Sequence, residues 1–187
     1  MYSSNWMSIN KKEKTARLES YILRLKQNDK EALAQLYEEI RVSVYSLALS
    51  IVKDPNMAED ILQDTIIKIY QSSDLYKPKG KPLAWILTIV KNNALMKLRQ
   101  QSKMTMLTDE EWNKIPKKEE LSKEEIMLLK SSLNKLKDEE KIIITLYAIS
   151  GLKHREIAEL LDLPLATVLS KYHRAIKKLK KIMSEEK

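Results

Sequence analysis

The stretch Glu156-Ile-Ala-Glu-Leu-Leu-Asp-Leu-Pro-Leu-Ala-Thr-Val168, running on to Lys181, decides how this chain is read. Ile157, Ala158 and Leu161 supply one apolar side of a short helix, and Ala158 is small where a second helix must cross closely. Asp162 stands in the turn, where Gly is commoner, and Asp tolerates left-handed geometry better than most residues. Pro164 opens the next helix, where its missing N–H costs little. Two short helices joined by so tight a turn have the form of a helix-turn-helix, which sets its second helix in the DNA major groove.

The second helix carries the chemistry. At about 100° per residue, Val168, Tyr172, Ala175, Ile176 and Leu179 fall within one arc and form a core face. Thr167, Ser170, Lys171, Arg174, Lys177, Lys178 and Lys181 occupy the opposite arc, with no acidic residue among them before Glu185. Thr167, Ser170, Lys171 and Arg174 are placed to reach base edges, and Lys177 and Lys178 to meet phosphates. An ordinary amphipathic helix with a solvated basic face remains the alternative. Turn, small residue and basic arc together favour DNA.

Composition bounds the rest. The 187 residues allow one large domain or two small ones. With 2 Gly and 5 Pro, the chain suits helices better than a turn-rich sheet protein. No Cys and only His154 and His173 leave no basis for a thiolate or histidine-rich metal site, so no metal or cofactor is expected. No Gly-rich phosphate loop or catalytic constellation stands out, so neither an enzyme nor a small-molecule substrate is expected. The net charge of +8 is compatible with a polyanionic partner. No apolar run approaches the ~18 residues of a membrane span, and Met1 to Lys14 lacks a secretory core, so a cytoplasmic location is expected.

The pattern predicts an all-α protein of two helical domains joined by a flexible linker. Residues 1–27 form an N-terminal extension and first helix. A helical bundle spans 28–101, a linker 102–121 and a helix-turn-helix domain 122–187. Asp29 caps a helix from Lys30, Asn56 caps one over 57–71, and a loop over 72–82 precedes a helix over 83–101. Further helices are expected over 122–135, 138–150, 153–161 and 165–183. Trp112 in the linker is expected to rest on a neighbouring domain.

Two features of the first domain stand out. The 57–71 helix has Ala58, Ile61, Leu62, Thr65, Ile69 and Tyr70 on its core side. Asp60, Gln63, Asp64, Ile67 and Gln71 lie on the other side, so Ile67 is an apolar residue centred in an acidic face. In a basic protein this pattern suits a protein partner, although a solvated face with one stray Ile would look the same. The 83–101 helix is apolar nearly all round through Trp85, Ile86, Ile89 and Val90, with Thr88, Lys91, Asn92 and Arg99 as its polar strip. The loop before it, Tyr76-Lys-Pro-Lys-Gly-Lys-Pro82, combines an aromatic with lysines, residue types that stack on unpaired bases and attract phosphates.

In this order the segments resemble a bacterial RNA polymerase sigma factor of the extracytoplasmic-function (ECF) group of the sigma-70 family. Ala58-Glu-Asp-Ile-Leu-Gln-Asp-Thr65 is similar to region 2.2, which grips the polymerase beta-prime clamp helices. The family's acidic and Gln positions fall on Asp60, Gln63 and Asp64. Trp85-Ile-Leu-Thr-Ile-Val-Lys-Asn92 with Arg99 is similar to region 2.4, which reads the minus-10 element. Leu133 to Lys181 resembles region 4, which reads the minus-35 element through Glu156-Ile-Ala158, Thr167-Val168 and Arg174-Ala175. The resemblance covers about residues 28–181. It departs at Met96, where Asp is frequent, at Ala166, where Gly is frequent, and at Tyr76, where Phe is usual.

The resemblance implies a non-enzymatic alternative sigma factor that directs promoter-specific initiation and helps melt DNA. Core polymerase would be bound through Asp60, Gln63, Asp64 and Ile67, and through contacts to the beta flap. Minus-10 DNA would meet Tyr76, Lys79, Trp85, Thr88, Lys91, Asn92 and Arg99, with a flipped base held near the 74–82 loop. Minus-35 DNA would meet the basic arc of the last helix. An anti-sigma factor, often membrane-attached, is an implied partner. A polymerase-independent helix-turn-helix regulator would account for the C-terminal segment, but not for the Asp60 face or the Trp85 helix. A structural helical adaptor with a merely solvated basic stripe is a second alternative.

Overall fold

A computed structural model describes residues 3–101 and 136–185. The 102–121 linker, Trp112 and the helix expected over 122–135 lie outside the described residues. The described residues form seven α-helices and one 3-10 turn. These are α1 (Ser3–Leu25), α2 (Lys30–Val52), α3 (Pro55–Gln71), the turn Ser73–Leu75, α4 (Pro82–Gln101), α5 (Asp138–Ala148), α6 (His154–Leu161) and α7 (Leu165–Glu185). No strand occurs among them, as the sequence predicts, and no helix among them is long and apolar enough to cross a membrane.

Local chemistry sets the boundaries. Asp29 Oδ1 accepts from the N–H groups of Glu31 (2.9 Å) and Ala32 (3.1 Å), capping α2 as expected. The cap of α3 is Asp54 and not Asn56: its Oδ1 accepts from the Met57 N–H at 2.8 Å. Pro55 then takes the first helical position, where a missing N–H costs nothing. The starts of α5 and α6 lack a capping oxygen, because Lys137 and Lys153 occupy the cap positions. Only half of a capping box can form: Glu140 accepts from the Lys137 N–H (3.2 Å) and Glu156 from the Lys153 N–H (2.6 Å).

Helix α2 is the hub, packing against α1, α3, α4 and α5. Its first half buries one stripe, Ala32, Leu36 and Ile40. From Ser43 to Ser50 only Ser46 escapes full burial, since neighbours surround it. Helix α1 supplies Leu18, Ile22 and Leu25 to this core, so it is an integral wall of the bundle rather than an appendage.

One apolar cluster runs through the bundle and on into the C-terminal helices, taking in Leu36, Ile61, Ile86, Ile143, Ile157 and Val168. A smaller cluster of Leu136, Ile144 and Ala175 closes α5 on α7. Lys53 Nζ meets Asp138 Oδ2 at 2.7 Å across the α2–α5 contact. Lys141 is also buried there, and burial pushes its ammonium pKa down. The two helical units therefore pack on one another through both apolar and charged groups.

Candidate nucleic-acid and partner interfaces

The helix-turn-helix is α6 and α7. Asp162 adopts φ 55° and ψ 46°, the left-handed turn that its short polar side chain permits. The Leu163 N–H donates to the Ala158 carbonyl at 3.0 Å and closes the turn. Ile157, Ala158 and Val168 are buried where the helices cross. Leu161, expected inward, is half-buried. Leu160 is buried instead, because α4 covers that side of α6.

On α7 the expected faces separate. Val168 and Ala175 are buried, and Ser170, Arg174, Lys177 and Lys181 are exposed. Thr167 is half-buried. Lys171 and Lys178 behave differently from the rest of the arc. Lys171 pairs with Glu139, and Lys178 Nζ lies 2.7 Å from Glu140 Oε2. Glu140 is only 3 % exposed. Burial alone would raise its pKa; the hydrogen bonds from Lys178 and the Lys137 N–H, with the charges of Lys178 and Arg174, outweigh that and hold it below the usual carboxylate range. Lys178 thus fastens α7 to α5. His173 is exposed, whereas His154 stacks on Tyr147 at 4.8 Å and meets Tyr172 edge-on at 4.5 Å. No local sequence pattern signals that aromatic cluster, because its members come from three helices.

On α4, Thr88, Asn92 and Arg99 are exposed and Trp85 and Lys91 are half-buried. The helix is apolar nearly all round because it has neighbours on several sides: α2 and α3 cover one side and α6 another. Lys91 Nζ donates to the Leu160 carbonyl at 2.7 Å, and Lys81 pairs with Glu159 at 2.8 Å. Asn93, next to the predicted Asn92, is buried and locks α3 to α4, donating to Thr65 Oγ1 at 3.2 Å and accepting from Lys68.

The loop residue Tyr76 is not an open stacking surface. It is 4 % exposed, its ring lies 5.0 Å from that of Trp85, and its hydroxyl donates to Glu19 Oε1 at 2.8 Å. Burial first, then the Glu19 bond and charge, push its pKa up. Leu75, 78 % exposed, and Lys77, Lys79 and Lys81 are what the loop presents to solvent. With Trp85 and Thr88 of α4, and Glu156, Glu159 and Leu160 of α6, they line an open cleft of about 370 Å³.

The face on α3 forms as the helical pattern predicts. Ile67 is 55 % exposed, Gln63 is exposed, and Asp60 and Asp64 flank them. Lys97 of α4 reaches both carboxylates, at 3.5 Å from Asp60 and 3.2 Å from Asp64. Tyr70, expected in the core, is half-exposed with its hydroxyl on Asn28 Oδ1 at 2.6 Å.

These elements define an all-α helix-turn-helix protein with a second helical bundle. Two family models match it: Sigma-70 region 2 over residues 36–104 and Sigma-70, region 4 over residues 126–179, together well over half of the chain. The ECF RNA polymerase sigma factor SigK of Mycolicibacterium vanbaalenii is 26% identical over 177 residues, covering 90% of both chains. The ECF RNA polymerase sigma-E factor of Haemophilus influenzae is 27% identical over 171 residues, covering 84% of this chain and 90% of that one. The solved sigma factor RpoE of Bartonella quintana, in complex with the anti-sigma factor NepR, shares the fold with a TM-score of 0.66 at 21% identity, over 80% of this chain and 97% of that one. The chain belongs to the sigma-70 family, in its extracytoplasmic-function group, and is an alternative sigma factor.

Proposed function

We propose that this sigma factor divides promoter-specific initiation among three faces and performs no catalysis of its own. The face of Asp60, Gln63, Asp64 and Ile67 binds the clamp helices of core polymerase. Thr167, Ser170, Arg174 and Lys177 read minus-35 duplex DNA, with Lys171 and Lys178 holding the helix and contributing charge at its edge. Trp85, Thr88, Asn92, Arg99, Lys91 and the Lys79 loop hold the opened minus-10 strand. Tyr76 serves this face from beneath, by backing Trp85. Opening DNA costs stacking energy of a few kcal/mol per extruded base, which contacts to that base must offset.

The observation that carries the reading is Ile67, an isoleucine 55 % exposed one turn beyond Asp64 in a protein of net charge +8. A regulator working without polymerase has no use for that face. An apolar centre with an acidic rim fits a protein surface that offers a cavity and cations. The likeness to RpoE bound to NepR supports an anti-sigma partner for this chain as well, and a cytoplasmic location fits both roles.

The test is transcription in vitro with purified core polymerase. The protein is expected to co-elute with core and to start transcripts at discrete sites. Tight binding to duplex DNA without core, and no specific initiation, would favour a regulator instead. Asp64→Lys is expected to weaken core binding at least tenfold; unchanged affinity would remove the partner face from the reading.

A further inference from the structure

The 76–81 loop has few anchors of its own. Lys77, Pro78, Lys79, Gly80 and Lys81 are all exposed, and Gly80 takes a left-handed φ of 68°. Beyond the Lys81–Glu159 pair, what fixes the loop comes from α1 and the turn that follows it. A single carboxylate oxygen, Glu19 Oε1, accepts from the Tyr76 hydroxyl at 2.8 Å and from the Gly80 N–H at 2.9 Å. Just past the end of α1, Lys26 Nζ donates to the Tyr76 carbonyl at 3.3 Å. Glu19 and Lys26 both precede residue 36, where the region 2 match begins.

We propose that Glu19 is the positioning residue of the minus-10 face: it ties the two ends of the 76–80 turn to one atom and thereby holds Tyr76 under Trp85. The inference rests on the reading of this loop and Trp85 as the holder of the opened strand. Its logic is geometric. With the Tyr76 ring held 5.0 Å from Trp85, the indole has a fixed backing. With the Gly80 N–H turned inward to Glu19, exposed Lys77 and Lys79 are left for phosphates, while Lys81 pairs with Glu159. A carboxylate suits this position because a charged acceptor strengthens both bonds. Releasing the loop would leave it many conformations to lose on each binding event, at a cost in affinity.

The experiment uses wild-type holoenzyme to select single-stranded DNA from a randomised pool, and then measures affinity for that labelled strand. Glu19→Ala is expected to weaken strand binding about tenfold, the loss of two bonds to a charged acceptor. Core affinity is expected to stay within twofold. Amide exchange at Gly80 is expected to accelerate by a similar factor. Glu19→Gln, which keeps an acceptor oxygen in place, is expected to bind within threefold of wild type, a rescue that mere loss of helix packing would not give. Arg17→Ala, elsewhere on α1 and paired with Glu39, serves as control and is expected to leave strand binding unchanged. Unchanged strand affinity in Glu19→Ala, alongside a loss in Trp85→Ala, would overturn the positioning role alone. Unchanged affinity in Trp85→Ala would overturn the reading of the loop and the inference with it.

Discussion

Helices α4 and α7 are the two candidate DNA readers, and they are built in opposite ways. On α7, buried Val168 and Ala175 lie on one side and exposed Arg174, Lys177 and Lys181 on the other. On α4, Ile86, Leu87, Val90 and Ala94 are buried while Trp85 and Ile89 are half-covered on further sides, leaving a narrow polar strip. The difference lies in the number of neighbours. Helix α7 rests on α5 and α6 and keeps a broad wet face; α4 is wedged among α2, α3 and α6. A reader with one dry side offers many exposed positions that can be altered without touching the fold, whereas a wedged one offers few.

The largest expected effect probes that wedge. Leu87→Ala, at a fully buried site in α4, is expected to cost about 3 kcal/mol in urea unfolding, and Val168→Ala in α7 about 2 kcal/mol. Both are expected to shift one common transition, because a single apolar cluster joins the two helices. Separate transitions, each moved by one substitution, would break that description.

Glu140→Gln sharpens the contrast within α7, where a lysine of the basic arc is tied down. It is expected to cost about 1.5 kcal/mol at neutral pH, through weakened bonds to Lys178 and the Lys137 N–H. The folded pKa of Glu140 is lowered, so its contribution is present above the ordinary glutamate range and is lost as pH falls through the lowered value. Unfolding curves of the two proteins are therefore expected to converge in acid. A constant gap at every pH would show that the charge is not what matters.

Arg174→Ala should act mainly on DNA: minus-35 duplex affinity of the holoenzyme falls about tenfold, with unfolding shifted far less than by loss of Lys178, because Arg174 adds only charge near Glu140. Lys178→Ala should lose stability as well. Equal stability losses in both would erase the distinction between the exposed and the tethered parts of the arc. The smallest effect is expected for Lys91→Ala, which removes a bond to the last turn of α6 and costs about 0.5 kcal/mol.

The contrast also explains what the sequence made legible. The α7 faces and the Ile67 patch follow from helical period alone, since each belongs to one helix with a wet side, and the Asp162 turn follows from the tolerance of Asp for left-handed backbone. The cap of α3 falls two residues before Asn56 because Asp54-Pro55 reads equally as a stop and as a start. The Glu19 bonds were invisible because they join residues 57 and 61 positions apart, and no local pattern encodes that meeting. The burial of Tyr76 and the exposure of Tyr70 escape local pattern for a related reason: whether an aromatic beside a helix end is buried depends on which distant element covers it. Lys171 and Lys178 looked like the rest of the arc until α5 supplied their partners.

The long separation between Glu19 and its loop also has a kinetic side. Contacts far apart in sequence are rewarded only after the chain entropy of bringing them together has been met. Helix α2 must first gather α1 and α4 before one carboxylate oxygen can find both Tyr76 and Gly80. The 76–81 loop is therefore expected to take its shape late in folding, with its amides gaining protection after those of the helices that carry it.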